Sequence, residues 1–181
     1  MRVITGSARG RKLITLEGND VRPTTDRVKE AIFSSIQFDI EGSSVLDLFA
    51  GSGQLGIEAL SRGAESAVFV DNSKNSLDVV KKNLDITGFN DKSELYNMNS
   101  IDFIKICNRK FDFIFLDPPY NNGILFEILP HLSKLLKESG KIICEHEQNL
   151  VLPEEINDLR LKKSYKYGKI KVTSFCLSGE E

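Results

Sequence analysis

Val45-Leu46-Asp47-Leu48-Phe49-Ala50-Gly51-Ser52-Gly53-Gln54-Leu55-Gly56 is the stretch on which the fold turns. A short apolar run leads into glycines at G-x-G-x-x-G spacing, and a helical pattern follows through Leu60. Glycines let the chain turn sharply and let a ligand approach the backbone, while a helix start offers free N–H groups to an anion. The next strand, Ala67–Val70, ends on Asp71, where a carboxylate can accept hydrogen bonds from ribose hydroxyls. Nicotinamide cofactors and S-adenosylmethionine (SAM) both use such a turn and such an acid. Asp47 tilts the choice to SAM, because a negative charge there suits the ammonium of its methionine part and sits poorly beside a pyrophosphate. The expected cofactor contacts are Asp47, Ala50, Gly51 and Gly53 on the turn, with Asp71 and Asn72 after the second strand.

Outward from this stretch, strands and helices alternate from Ser44 onward. Further strands are expected at Glu94–Tyr96, Phe111–Leu116 and Lys141–Glu145, with a hairpin of Leu159–Tyr167 and Lys171–Leu177 around Gly168. A helix from about Ser73 places Leu77, Val80 and Leu84 on one face and stops at Gly88. A helical stretch from Leu125 to Leu136 should be kinked or split by Pro130. The expected architecture is a mostly parallel seven-stranded α/β sheet with helices on both faces and one antiparallel strand from the hairpin. Residues 1–43 form a small basic extension of strand pieces and a helix, and residues 44–181 the main domain. The helix is announced by Pro23-Thr24-Thr25 and carries Val28, Ala31, Ile32, Ser35 and Ile36 on one face.

Asp117-Pro118-Pro119-Tyr120 follows the fourth strand, at the carboxyl end where open α/β sheets bind ligands. Two prolines lock a rigid extended turn. They fix the direction of the Asp117 carboxylate and of the Pro118 carbonyl, so that two acceptors converge on one point. An amino group bound there presents its hydrogens to them and its lone pair elsewhere. Tyr120 offers a flat ring on which a base can stack, a contact worth roughly 1–3 kcal/mol.

The remaining composition narrows the class. The chain has 181 residues, 40% hydrophobic and 28% charged, enough for one sizeable core. No apolar run approaches a membrane span, and the N-terminus lacks the apolar region of a secretory signal. Cys107, Cys144 and Cys176 form no close pair, which points to a reduced, cytoplasmic setting. His131 and His146 make no ligand set, so no metal is expected. The formal charge of −2 argues against nucleic acid, but its distribution argues back. Arg2, Arg9, Arg11 and Lys12 meet no acid before Glu17, and Arg160, Lys162, Lys163, Lys166, Lys169 and Lys171 run without one between them. Either patch follows a phosphate backbone or is a solvated face.

A D-P-P-Y motif after the fourth strand, with the Asp47–Gly53 turn, resembles the class I SAM-dependent methyltransferases that modify exocyclic or amide nitrogens. Arg9-Gly10-Arg11-Lys12-Leu13 and Arg22-Pro23-Thr24-Thr25-Asp26-Arg27-Val28 resemble the opening of the RsmD family of bacterial methyltransferases, as do Ile57–Ala64 and Glu145-His146. The resemblance runs almost end to end. It implies a Rossmann-like fold and transfer of the SAM methyl to N2 of a guanine in 16S ribosomal RNA, within the small subunit or an assembly intermediate. It further implies Asp117, Pro118 and Tyr120 as catalytic residues, and a monomer without metal or membrane association. Family members carry an acid after the third strand, near the adenine of SAM. Here Asn99 stands at that position, beside Ser100, and Asp102 is the alternative. Arg9, Arg11, Lys12, Arg22 and Arg27 are the RNA candidates, and Arg22 and Arg27 equally suit anchoring the helix or meeting the SAM carboxylate. The basic stretch is expected to take no part in the cofactor fold itself.

A DNA adenine-N6 methyltransferase shares D-P-P-Y but needs a target-recognition domain for which there is little room. A nicotinamide-dependent oxidoreductase shares the turn and Asp71 but leaves D-P-P-Y unexplained.

Overall fold

The computed structural model describes residues 1–16, 25–120 and 123–179. Strands β1 (Ser44–Asp47), β2 (Ser66–Asp71), β3 (Ser93–Asn97), β4 (Phe111–Leu116) and β5 (Leu136–Glu147) run parallel. β6 (Glu155–Ile156), β7 (Leu159–Tyr167) and β8 (Ile170–Leu177) complete an eight-stranded sheet of order β3-β2-β1-β4-β5-β8-β7-β6. All seven expected strands are present. β6 is an addition of two residues, folded back on β7 through Asn157, whose φ of 51° closes the turn. Two strands, β6 and β8, therefore oppose the parallel set.

Helices α1 (Asp26–Ser34), α2 (Gln54–Ser61) and α3 (Lys74–Thr87) cover one face, and α4 (Ser100–Ile106) and α5 (Ile124–Ile128) the other. β4 shows why both faces are dry. Phe113 and Phe115 point into the first layer, Ile114 and Leu116 into the second, and all are buried. Pro130 splits the last helical stretch as expected: α5 ends at Ile128, and short 3-10 turns span Leu129–His131 and Ser133–Leu135. Thr25 caps α1, its hydroxyl accepting from the Val28 amide at 3.4 Å. Val28, Ile32 and Ile36 are buried as their spacing predicts. Ser35 is exposed instead of facing inward. Phe33 takes up the packing, 5.5 Å from the Phe115 ring and beneath the Arg62 guanidinium at 4.9 Å.

The first sixteen residues run down α2 and back. Arg2 bridges Lys12, and the Leu13 amide donates to the Met1 carbonyl. Glu58, fully buried on α2, holds the descending limb: its carboxylate accepts from the amides of Ile4 (2.8 Å) and Thr5 (3.0 Å), and pairs with Lys29 (3.6 Å) and Arg62 (2.8 Å). Asn83 of α3 holds the returning limb, bonding both main-chain groups of Ile14 and the Ser52 carbonyl. Val3, Ala8 and Leu13 join the same apolar layer as α1–α3.

Candidate active site

The parallel strands all end at one edge, and there a cavity of about 810 Å³ opens, within the usual range for ligand sites. Asp47, at the end of β1, forms part of its floor. The side chain is buried. One oxygen accepts from the Gly56 amide at 3.1 Å, and the other has no hydrogen-bond partner among the described residues. Burial pushes this carboxyl up to about 7, against the pull of the Gly56 amide. Gln54, the first residue of α2, is also buried, and its carboxamide oxygen has no hydrogen-bond partner among the described residues. Two orphaned acceptors beside one cavity leave a deficit that a ligand bringing N–H donors would fill.

The glycine turn meets the cavity at Gly51, whose φ of 54° and open surroundings let the backbone bend where a ligand would lie. Gly56 has a different task. A Cβ there would lie 2.3 Å from the Phe69 ring, so this glycine brings α2 down onto β2. Asp71 is held by the turn itself, accepting from the amides of Gly51 (2.9 Å) and Ser73 (2.8 Å). Each oxygen keeps a further lone pair, and the residue lines the cavity. Asn99 caps α4, its oxygen accepting from the Asp102 amide at 2.8 Å and its NH₂ donating to the Asp102 carboxylate at 2.7 Å. The family resemblance implies an acid where Asn99 stands, and the structure gives the Asn a local task that Asn performs well.

Of the expected cofactor residues, Asp47, Ala50, Gly51, Asp71, Asn72, Asn99 and Ser100 line the cavity, as does Asp102. Gly53 stands behind it as the cap of α2. Asp117, Pro118 and Tyr120 line the same cavity, so both motifs converge on one space. The Tyr120 hydroxyl donates to buried Glu145 at 3.3 Å.

Sequence reasoning missed three contributions. Gln54 reads as an ordinary helix residue inside the glycine motif. Met1, Thr15 and Leu16 line the cavity although their segment was expected to stand outside the cofactor fold. Asn83 brings them there by pinning Ile14 to Ser52, contacts 69 and 31 residues apart in sequence that leave no local signal. None of Arg9, Arg11, Lys12 and Arg27 lines the cavity, and all four are exposed. The tip of the N-terminal segment rests on Ser61, the far end of α2, about 12 Å of helix below the turn. Arg22 lies outside the described residues.

Strand order, glycine turn and a D-P-P-Y loop over one cavity define a class I methyltransferase with a Rossmann-like fold. Residues 1–176 match the profile of a family described as "Conserved hypothetical protein 95", and the chain belongs to this family, the RsmD family of the sequence resemblance. A Haemophilus influenzae relative named ribosomal RNA small subunit methyltransferase D is 38% identical over 169 residues, covering 90% of this chain and 88% of the relative. The Escherichia coli K12 protein of the same name is 36% identical over 145 residues, covering 80% and 71%. A solved structure of a conserved hypothetical protein from Streptococcus pyogenes superposes with a TM-score of 0.79 at 36% identity, over 85% of this chain and 98% of that one. No helix of the described residues is long and apolar enough to cross a membrane.

Proposed function

We propose that this methyltransferase acts on the exocyclic N2 of a guanine in 16S ribosomal RNA, with SAM as methyl donor. Residues 44–181 carry the chemistry and residues 1–43 form the extension beside them. The carrying observation is the meeting of the glycine turn and D-P-P-Y loop on one cavity whose floor holds an unsatisfied buried carboxylate oxygen. Asp47 and Gln54 accept from the cofactor's ammonium, the Gly51 turn faces its methionine part, and Asp71 holds the ribose. Asn99, Ser100 and Asp102 border the adenine.

SAM supplies a methyl group made electrophilic by its sulfonium. The chain's part is to make a poor nucleophile competent, since the lone pair of guanine N2 is delocalised into the ring. Asp117 and the Pro118 carbonyl accept the two N2 hydrogens, which favours a pyramidal nitrogen with its lone pair directed at the methyl. The same acceptors stabilise positive charge as it develops. Tyr120 stacks on the unstacked base, and Glu145 holds its hydroxyl. The proton leaves to water after transfer. Arg9, Arg11, Lys12, Arg22 and Arg27 are the proposed phosphate contacts of the extension. The enzyme works as a cytoplasmic monomer on small-subunit particles or an assembly intermediate.

Mass spectrometry of ribosomal RNA nucleosides from a strain lacking this chain tests the reading. One N2-methylguanine should disappear from 16S RNA and return with the wild-type gene. An unchanged nucleoside profile, or loss of N6-methyladenine from DNA, would overturn it.

A further inference from the structure

We infer that Lys166, Lys169 and Lys171, at the turn of the β7–β8 hairpin, form a phosphate track that carries the RNA backbone past the catalytic edge of the sheet. The inference rests on the RNA substrate proposed above and adds a surface to it.

Strand register places these lysines. Leu116 of β4 pairs with Cys144 of β5, so two residues further on His146 stands level with Pro118 of the catalytic loop. His146 lies opposite Lys171 of β8, and Lys171 lies opposite Lys166 of β7. One row thus runs from the D-P-P-Y level across β5 and β8 to β7. Lys169 sits in the turn at the same edge, its carbonyl accepting from the Gln148 amide at 2.9 Å. At about 4.8 Å per strand, Lys171 and Lys166 stand roughly 10 and 14 Å along the sheet from β4. That separation suits nucleotides flanking the target base rather than the base itself.

The charges are arranged at a cost. Like charges directly opposite on antiparallel strands destabilise the pairing, and Lys166 and Lys171 are such a pair. Among the described residues no carboxylate lies within ion-pair distance of any of the three. Lys162 and Lys163 have a simpler reason to exist, since they stand where β7 runs past the end of β6, on a sheet edge that no other described strand pairs with. Lys169 and Lys171 are not on that strand. A line of unneutralised cations beside a catalytic loop complements a linear polyanion.

The test combines Lys166→Gln, Lys169→Gln and Lys171→Gln and measures binding to a naked 16S RNA fragment and to small-subunit particles, as a function of salt. Removing one phosphate contact to single-stranded RNA flattens the slope by about 0.7, so three should cost roughly 100-fold in affinity at 0.1 M salt. The triple Lys→Arg variant should keep affinity and slope. The Gln variant should bind SAM as before and melt no lower than wild type, because it relieves a like-charge pair. That pairing of unchanged or higher stability with weaker RNA binding is what a structural role would not produce. Lys163→Gln, on the other face of β7, should change neither quantity. Equal affinity and slope for the Gln variant on naked RNA overturns the track alone, and loss confined to particles would assign the lysines to an acidic protein instead. Failure of the wild type to bind either RNA would overturn the proposed substrate together with the track.

Discussion

Two buried carboxylates eleven residues apart in sequence lead opposite lives. Glu58 sits in the layer between the N-terminal segment and the sheet, and its oxygens are met by two amides, a lysine and an arginine. Asp47 lines the cavity with one amide partner and, among the described residues, one oxygen without a hydrogen-bond partner. Burial alone does not separate them. What separates them is completeness: a satisfied buried charge fastens two pieces of chain together, and an unsatisfied one waits for a ligand.

Removing Glu58 should break this contrast most severely. Glu58→Ala strands buried Lys29 without its counter-charge, a loss of about 3–5 kcal/mol. Urea unfolding should show it, and a loss below about 1 kcal/mol would mean the segment is held by apolar packing alone. Asp117→Ala comes next and acts on chemistry rather than stability. It should lower kcat by about 10²–10³ with SAM affinity nearly unchanged. A wild-type rate in single-turnover methylation would remove Asp117 from the mechanism.

Asp47→Asn should do the reverse of Glu58→Ala. Because its folded-state value, about 7, lies above the ordinary carboxylate value, Asp47 costs stability increasingly as pH rises toward 7. The Asn variant should therefore melt higher than wild type at pH 8, while binding SAM about 10–100-fold more weakly for want of a charged acceptor. In the wild type, SAM affinity should fall up to tenfold per pH unit below about 7 and level off above it. Calorimetry across pH 5.5–8.5 decides, and a flat profile would detach Asp47 from the ammonium. The smallest effect belongs to Arg9, Arg11 and Lys12. Their triple Ala variant should stay folded and reduce the salt slope of particle binding by about 0.7–0.9 for each phosphate that the segment no longer neutralises. An unchanged slope would leave this end of the molecule a solvated face.

The contrast also marks what the sequence could disclose. Glycine turn, D-P-P-Y loop, the seven strands and the break at Pro130 rest on neighbours in the chain, and each was readable. β5 starts five residues earlier than Lys141, at Leu136, which its apolar spacing assigns to the helical stretch, because Leu136 pairs with Phe111 of β4. The tasks of Glu58 and Asn83 were hidden, since the N-terminal residues they hold lie 53 to 69 residues away. Gln54 was hidden for a subtler reason. Nothing in a local pattern tells which glutamine will be buried without a partner.

The margins of the sheet bear on how this protein behaves in a crowd of its own copies. β3, the outermost strand on one side, spans only Ser93–Asn97 and carries Glu94 clasped by Arg109 at 2.6 Å. On the other side β6 pairs with just the first residues of β7, and among the described residues no strand pairs with the outer edge of the lysine-bearing remainder. A short, charged margin and a lysine-studded one are poor templates for a further strand. Concentrated solutions should resist edge-to-edge stacking, and replacing Lys162, Lys163 and Lys166 with threonine should weaken that resistance at the β7 edge.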